Sequence, residues 1–308
     1  MSYQKKNIIL IGSGPASLSM SATMSMANIE HIVLEKEGKP GGMLPEIHNE
    51  LDDFVTGLYK NGLELTEKIE DFVQKYQLPI KYNSKVININ TDKKTINYLY
   101  KGILKEINYD YAVIATGSRF NIDNKSIDTE FDKDIYYRIS YKLKDFINKK
   151  VAVIGSGDNA TIAALRLTEY ASGIYLVNKS ENWKSRKDLV EEVLNHPEIL
   201  VLNHKTLTGL NGDSSLRSIE IKDIITDDKD IIEIDKVVFK IGYLPNSDFI
   251  SGGIELDEKG YIKISGRYET SAKNVFAIGD IVSSAYKRIS IAMGHGTELG
   301  NYFLKELL

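Results

Sequence analysis

The sequence predicts an α/β protein built from two Rossmann-like, three-layer (ββα) dinucleotide-binding domains, the second inserted into the first. Three observations predict it. An apolar strand that runs into a glycine turn and a small-residue helix occurs twice, as Ile8-Ile-Leu-Ile-Gly-Ser-Gly-Pro-Ala-Ser17 and as Val151-Ala-Val-Ile-Gly-Ser-Gly-Asp-Asn-Ala160. Each copy leads to a second apolar strand, His31-Ile-Val-Leu34 and Ile174-Tyr-Leu-Val177, completing a βαβ pattern. A late strand, Asn274-Val-Phe-Ala-Ile-Gly-Asp280, must return to the first unit, because the second is complete without it.

The glycines have the same physical role in both copies. Gly12 and Gly155 make the tight turn from strand to helix, and Gly14 and Gly157 let backbone approach a pyrophosphate. Ser17 and Ala160 take the third position, where a small side chain permits close helix–strand packing. The pyrophosphate is expected over the helix N-terminus, near Ser13, Pro15 and Ala16 in the first copy and Asp158 and Asn159 in the second, where free N–H groups and the helix dipole favour an anion.

The strand after the first turn ends in Glu35-Lys36, an acid placed to accept from a ribose hydroxyl. The strand after the second ends without an acid, in Asn178-Lys179-Ser180, with Lys184 and Arg186 close behind. That cluster suits a 2′-phosphate and predicts NADPH over NADH; the plainer reading is a basic surface turn. Between the two units, Lys85 to Asn90, Thr95 to Tyr100 and Tyr111 to Ala115 read as strands, the last closing on Ala115-Thr116-Gly117. The crossings near Ala115 to Ser118 and Ile241-Gly242-Tyr243 read as a paired hinge. Thr297 to Leu308 reads as an amphipathic helix packed on the core.

Composition narrows the function. The chain has 308 residues, 42% hydrophobic and 27% charged, enough for two globular domains. A net charge of −4 gives no basic footprint for nucleic acid. The first apolar run, Asn7 to Ile11, is too short for a signal peptide, and no stretch is long enough to span a membrane, so a cytoplasmic protein is expected. The sequence has no cysteine, which excludes disulfides, thiolate metal sites and cysteine nucleophiles.

On Gly12-Ser-Gly-Pro-Ala16, Leu34-Glu-Lys36, Gly41-Gly-Met43, Ala115-Thr-Gly117, Gly155 to Ala160, Ile241-Gly-Tyr-Leu-Pro-Asn246 and Thr270 to Asp280, the chain resembles the low-molecular-weight thioredoxin reductases. It also resembles their relatives, the thioredoxin-reductase-type ferredoxin/flavodoxin–NADP reductases. The resemblance implies an FAD domain at 1–115 and 245–308, and an NAD(P)H domain at 116–244. It implies that Gly12, Gly14 and Ala16 hold the FAD pyrophosphate and Glu35 the adenosine ribose. Gly42 and Met43 would lie along the cofactor, Met43 standing where the family has glutamine. Gly279-Asp280 would meet the ribityl chain, and Arg288 and Ile289 would open the last helix beside the flavin. Lys179 and Lys184 fall where the family has arginines on the 2′-phosphate, and Asn178 and Ser180 replace a histidine and another arginine. A homodimer is implied as well.

Thioredoxin reductases carry a Cys-x-x-Cys pair and an acid where this chain has Arg138-Ile-Ser-Tyr141 and Lys142. Without a dithiol, thiol–disulfide exchange with thioredoxin has no route. Bacillithiol disulfide reductases, also similar, place a cysteine in the first glycine loop, where Ala16 stands here. Tyr137-Arg-Ile139 with Phe146 reads more like the ferredoxin–NADP reductase branch, which usually adds a C-terminal segment with an aromatic ring over the flavin. Here the flavin face is expected open, or covered by Tyr141, Tyr286, His48 or His295. The reading that follows is an FAD-dependent oxidoreductase exchanging electrons between NADPH and a ferredoxin or flavodoxin. Its alternatives are an NAD(P)H oxidase or a reductase of a quinone or small molecule, and an FAD-binding module with a decayed nicotinamide site.

Overall fold

A computed structural model describes residues 6–47, 51, 54–55, 57–121, 131, 133–137, 139, 143–282 and 286–307. The chain divides into two compact units, residues 1–119 with 244–308, and residues 120–243.

The first unit is organised by a parallel sheet of five strands, ordered Val275–Ala277, Tyr111–Ile114, Ile8–Ile11, Ile32–Leu34, Ile80–Lys81. Side chains alternate across a strand, so each strand serves two layers. Ile8 and Leu10 point with Val33, Val113 and Phe276 toward helices Pro15–Met26 and Ile289–Tyr302, meeting Met20, Met24 and Leu299. Ile9 and Ile11 point with Leu34 and Ile114 to the other face, where Ile89, Ile96 and Tyr98 come from an antiparallel sheet, Ser84–Asn90, Thr95–Tyr100 and Ile103–Asn108. Each such aliphatic side chain taken from water stabilises the fold by about 1.5–3 kcal/mol. The two helices touch backbone to backbone: a Cβ on Gly296 would lie 1.9 Å from the Ala16 carbonyl oxygen. The last helix starts at Ile289, ahead of Thr297, and its final turn, Phe303–Leu307, widens to π geometry.

The second unit repeats the plan. Its parallel sheet runs Ile199–Leu202, Gly173–Val177, Lys150–Ile154, Lys236–Phe239, Ile135–Tyr136. Val151, Val153 and Leu176 face helices Asp158–Leu167 and Lys187–Asn195. Ala152, Ile154 and Val237 face an antiparallel sheet, Lys205–Gly212, Leu216–Asp223 and Lys229–Glu233, through Ile219 and Ile221. Where the chain leaves and returns, Ser118–Phe120 pairs with Tyr243–Pro245.

Candidate functional site

In the first unit the strand Ile8–Ile11 ends in a turn that only glycine can make. Gly12 has φ +96°, and a Cβ there would lie 2.7 Å from the Ala115 carbonyl oxygen. Gly14 is different: its φ is −75°, and a Cβ would meet nothing within 4 Å. It caps a helix that opens on Pro15 and has no side-chain cap, so no side chain satisfies the first N–H groups. Gly41 and Gly42 close one side. The Gly41 N–H donates to the Ser13 carbonyl at 2.9 Å, and a Cβ on Gly42 would lie 3.2 Å from the Gly14 Cα. Met43, half-buried, follows them.

Glu35 is buried at the end of the second strand. One carboxylate oxygen accepts from the Ser13 N–H and hydroxyl, both at 2.7 Å, and the other from the Glu37 N–H at 2.7 Å. The acid therefore braces the glycine turn and keeps limited acceptor capacity for a ribose. Lys36 is exposed and pairs with Glu37 at 3.4 Å. On the far side, Thr116 and Asn246 exchange hydrogen bonds at 2.8 Å, and the Asn246 N–H donates to the Gly117 carbonyl at 3.0 Å.

The late strand delivers Gly279-Asp280 to the same turn. Gly279 has φ +74°, and a Cβ would sit 2.9 Å from that of Ala16. The Asp280 carboxylate accepts no hydrogen bond from the described residues; burial raises its pKa, opposed by the charge of Lys287. The Lys287 ammonium donates to the carbonyls of Asp280 and Val282 at 2.8 and 2.9 Å. Arg288 caps the last helix in extended backbone with no side-chain cap, and Ile289 packs beside Leu44, Leu51 and Phe54. His295 Nδ1 accepts from the Gly279 N–H at 3.2 Å, so that nitrogen carries no proton. The ring lies 4.9 Å from that of Tyr268, and burial lowers its pKa. His295 thus lies behind the Gly279 turn, and Tyr286 is 71% exposed. His48, Arg138, Tyr141 and Lys142 lie outside the described residues.

This arrangement fits a dinucleotide. It offers a cradle that a Cβ on Gly14 would fill, two helix N-termini without side-chain caps for anionic groups, and in Asp280 a carboxylate to which no described residue donates.

The second unit reproduces the turn. Gly155 has φ +142° and a Cβ there would lie 2.3 Å from the Lys240 carbonyl oxygen, whereas Gly157 has open space. The Asp158 carboxylate accepts from the Ser185 hydroxyl at 3.0 Å and the Arg186 N–H at 2.8 Å. With the Lys184 N–H on the Ser156 carbonyl at 3.0 Å, this straps residues 184–186 along the helix start. Asn159 donates to the Tyr243 hydroxyl at 3.1 Å, and Ala160 is buried against the sheet. Gly242 has φ +99°, and its carbonyl accepts from Asn121. Asn178 is buried, its amide spent on Ser180 and Asn203, so it shapes the turn from within. Lys179 and Lys184 are exposed at its rim, and Arg186 pairs with Asp188 at 3.3 Å. An acid overlooked at the strand end stands among them: Glu181 pairs with His204 at 3.1 Å.

A family model described as pyridine nucleotide-disulphide oxidoreductase matches residues 6–296. The chain belongs to that family. Its members are FAD-dependent oxidoreductases that use a nicotinamide nucleotide, and this chain is an oxidoreductase of that kind. It is 29% identical over 306 residues to a thioredoxin reductase of Chlamydia pneumoniae, covering 94% of each chain. It is 26% identical over 285 residues to a ferredoxin–NADP reductase of Picrophilus torridus, covering 90% of this chain and 86% of that one. In fold it matches the Lactococcus lactis thioredoxin reductase in its FR conformation, with TM-score 0.85, 21% identity and 98% of both chains covered. Among the described residues no helix is long and apolar enough to cross a membrane, and no cluster of His, Asp and Glu is arranged for a metal ion.

Proposed function

We propose that the chain exchanges electrons between NADPH and a ferredoxin- or flavodoxin-type carrier, with residues 1–115 and 245–308 binding FAD and 116–244 binding the nicotinamide coenzyme. The observation that carries this reading is the lack of any cysteine in a chain of this family. No side chain can relay electrons as a dithiol, so the acceptor must meet the cofactor directly. The ferredoxin–NADP reductase of Picrophilus torridus supports such an acceptor.

FAD, when bound, supplies the hydride and one-electron chemistry. The chain supplies position and charge. The helix starts at Gly14 and Gly157 present N–H groups to the two pyrophosphates, and the open space over each glycine admits them. Glu35 holds the turn and receives the adenosine ribose, while Asp280 accepts from the ribityl hydroxyls. The uncapped helix start at Arg288 and Ile289 favours negative charge at the flavin edge. Lys179 and Lys184 attract the 2′-phosphate as point charges. Glu181 beside them favours a second reading for the coenzyme, NADH, whose free 2′-hydroxyl an acid can receive.

Anaerobic stopped-flow absorbance tests the reading. Mixing with NADPH is expected to bleach the flavin band faster than mixing with NADH, and ferredoxin is expected to restore it. Failure of both nucleotides to bleach it would remove the nicotinamide half. Restoration by oxygen or a quinone alone would replace the carrier with a small acceptor. The same sample, passed over a sizing column, tests a homodimer.

A further inference from the structure

We propose that Lys287 is a positioning residue for the cofactor: it locks the Gly279–Val282 turn and keeps the Asp280 carboxylate a charged acceptor for the ribityl hydroxyls of FAD. This rests on the reading that the first unit binds FAD.

The ammonium of Lys287 is held from three directions. It donates to the carbonyls of Asp280 at 2.8 Å and Val282 at 2.9 Å, and lies 4.3 Å from the centroid of the Tyr261 ring. A lysine gathered in like this gives up its rotamer freedom, and what it touches is held with it. What it touches is the short turn that carries Asp280.

The carboxylate of Asp280 is half-buried and receives no hydrogen bond from the described residues. Its acceptors are open to a ligand's hydroxyls. Burial alone drives such a carboxyl toward its neutral form, and the nearby cation opposes that. The other charges around the turn give little help. Asp257, behind Tyr261, is acidic and spends one oxygen on the Lys259 and Tyr261 N–H groups. On the last helix, His295 is held neutral by the Gly279 N–H, Glu298 binds the Tyr268 hydroxyl, and Arg288 is exposed. Burial in turn lowers the Lys287 pKa, and Asp280 and Asp257 counter it, as expected of a cation that faces carboxylates.

If Lys287 were only a cap for two carbonyls, its loss would weaken FAD binding equally at every pH. If it sustains the charge of Asp280, its loss moves the protonation of Asp280 to higher pH, and affinity falls as the solution is acidified. The experiment titrates FAD into the deflavinated full-length protein from pH 6 to 8.5 and follows quenching of flavin fluorescence. The wild type is expected to show a nearly level affinity. Lys287→Met is expected to lose affinity severalfold toward the acid end of that range, as the Asp280 carboxylate takes up a proton, and to converge on the wild type at the alkaline end. Lys287→Arg is expected to restore the level profile, and Asp280→Asn in the Lys287→Met background to remove the pH dependence. A Lys287→Met profile parallel to the wild type overturns the inference. Absence of FAD binding by the wild type overturns the underlying reading instead.

Discussion

A single methyl group separates two kinds of glycine in each turn. At Gly12 and Gly155 a Cβ would drive into a carbonyl oxygen, at 2.7 and 2.3 Å, on backbone with positive φ. At Gly14 and Gly157 the φ values are −75° and −96°, and a Cβ would meet nothing of the protein. The first kind serves the fold, and the second leaves open the space that the proposed ligand would fill. Gly12→Ala is expected to lose at least about 2 kcal/mol of stability from clash and strain. Gly14→Ala is expected to stay within about 0.5 kcal/mol of the wild type while losing FAD affinity. Urea unfolding of the deflavinated proteins, set beside FAD titration, checks both; a Gly14→Ala protein that binds FAD normally would remove the pyrophosphate from that position. The turns these glycines make were legible because their requirement lies in the backbone. Glu35 was legible as a strand-end acid, but its hold on Ser13 was not, since that bond joins residues 22 positions apart. Lys287 gave no sequence signal at all. A lysine reads as solvent-facing until the fold shows what encloses it.

At the scale of elements, the parallel strands that carry the turns and their partners, such as Ile8–Ile11 and Tyr111–Ile114, were readable as continuous apolar runs, because both of their faces are covered. The short Ile80–Lys81 and Ile135–Tyr136 and the strands Ile199–Leu202 and Lys236–Phe239 were not picked out. The antiparallel layers were harder to read. Ile103–Asn108 is exposed along most of its length, so its alternation carries little contrast. Lys205–Gly212 contains two glycines and register shifts against its neighbour, and the sequence offered no strand there. The strap at residues 184–186 was equally hidden, since a serine and a backbone N–H meeting Asp158 leave no pattern. Asp158→Ala is expected to free that segment and with it Lys184. The KM for NADPH should rise by roughly tenfold, the worth of one charge-assisted hydrogen bond, with FAD content unchanged. Steady-state kinetics with flavin absorbance on the same sample would check this, and an unchanged KM would separate the strap from coenzyme binding.

For the whole molecule, the duplicated plan and the lack of cysteine together constrain the chemistry. The two units share layer order, turn geometry and an open glycine, yet differ at the strand end, where Glu35 stands in one and Asn178 in the other. Family membership rests on the match over residues 6–296, and the absence of cysteine separates this chain from a dithiol mechanism. Iodoacetamide is therefore expected to leave nicotinamide-dependent activity unchanged, and thioredoxin is expected not to serve as acceptor. Loss of activity on alkylation without general unfolding would show that a noncysteine nucleophile takes part.

The ends of the second unit lie side by side. The Asn121 N–H donates to the Gly242 carbonyl at 2.9 Å, and the flanking strands pair. A gene segment whose product starts and finishes at one point can be exchanged as a cassette, leaving the surrounding coding sequence to fold as before. If the second unit holds the nicotinamide nucleotide as proposed, recombination at these two codon positions would let a lineage replace its coenzyme preference in one event, while point changes around Glu35 and Asp280 proceed independently.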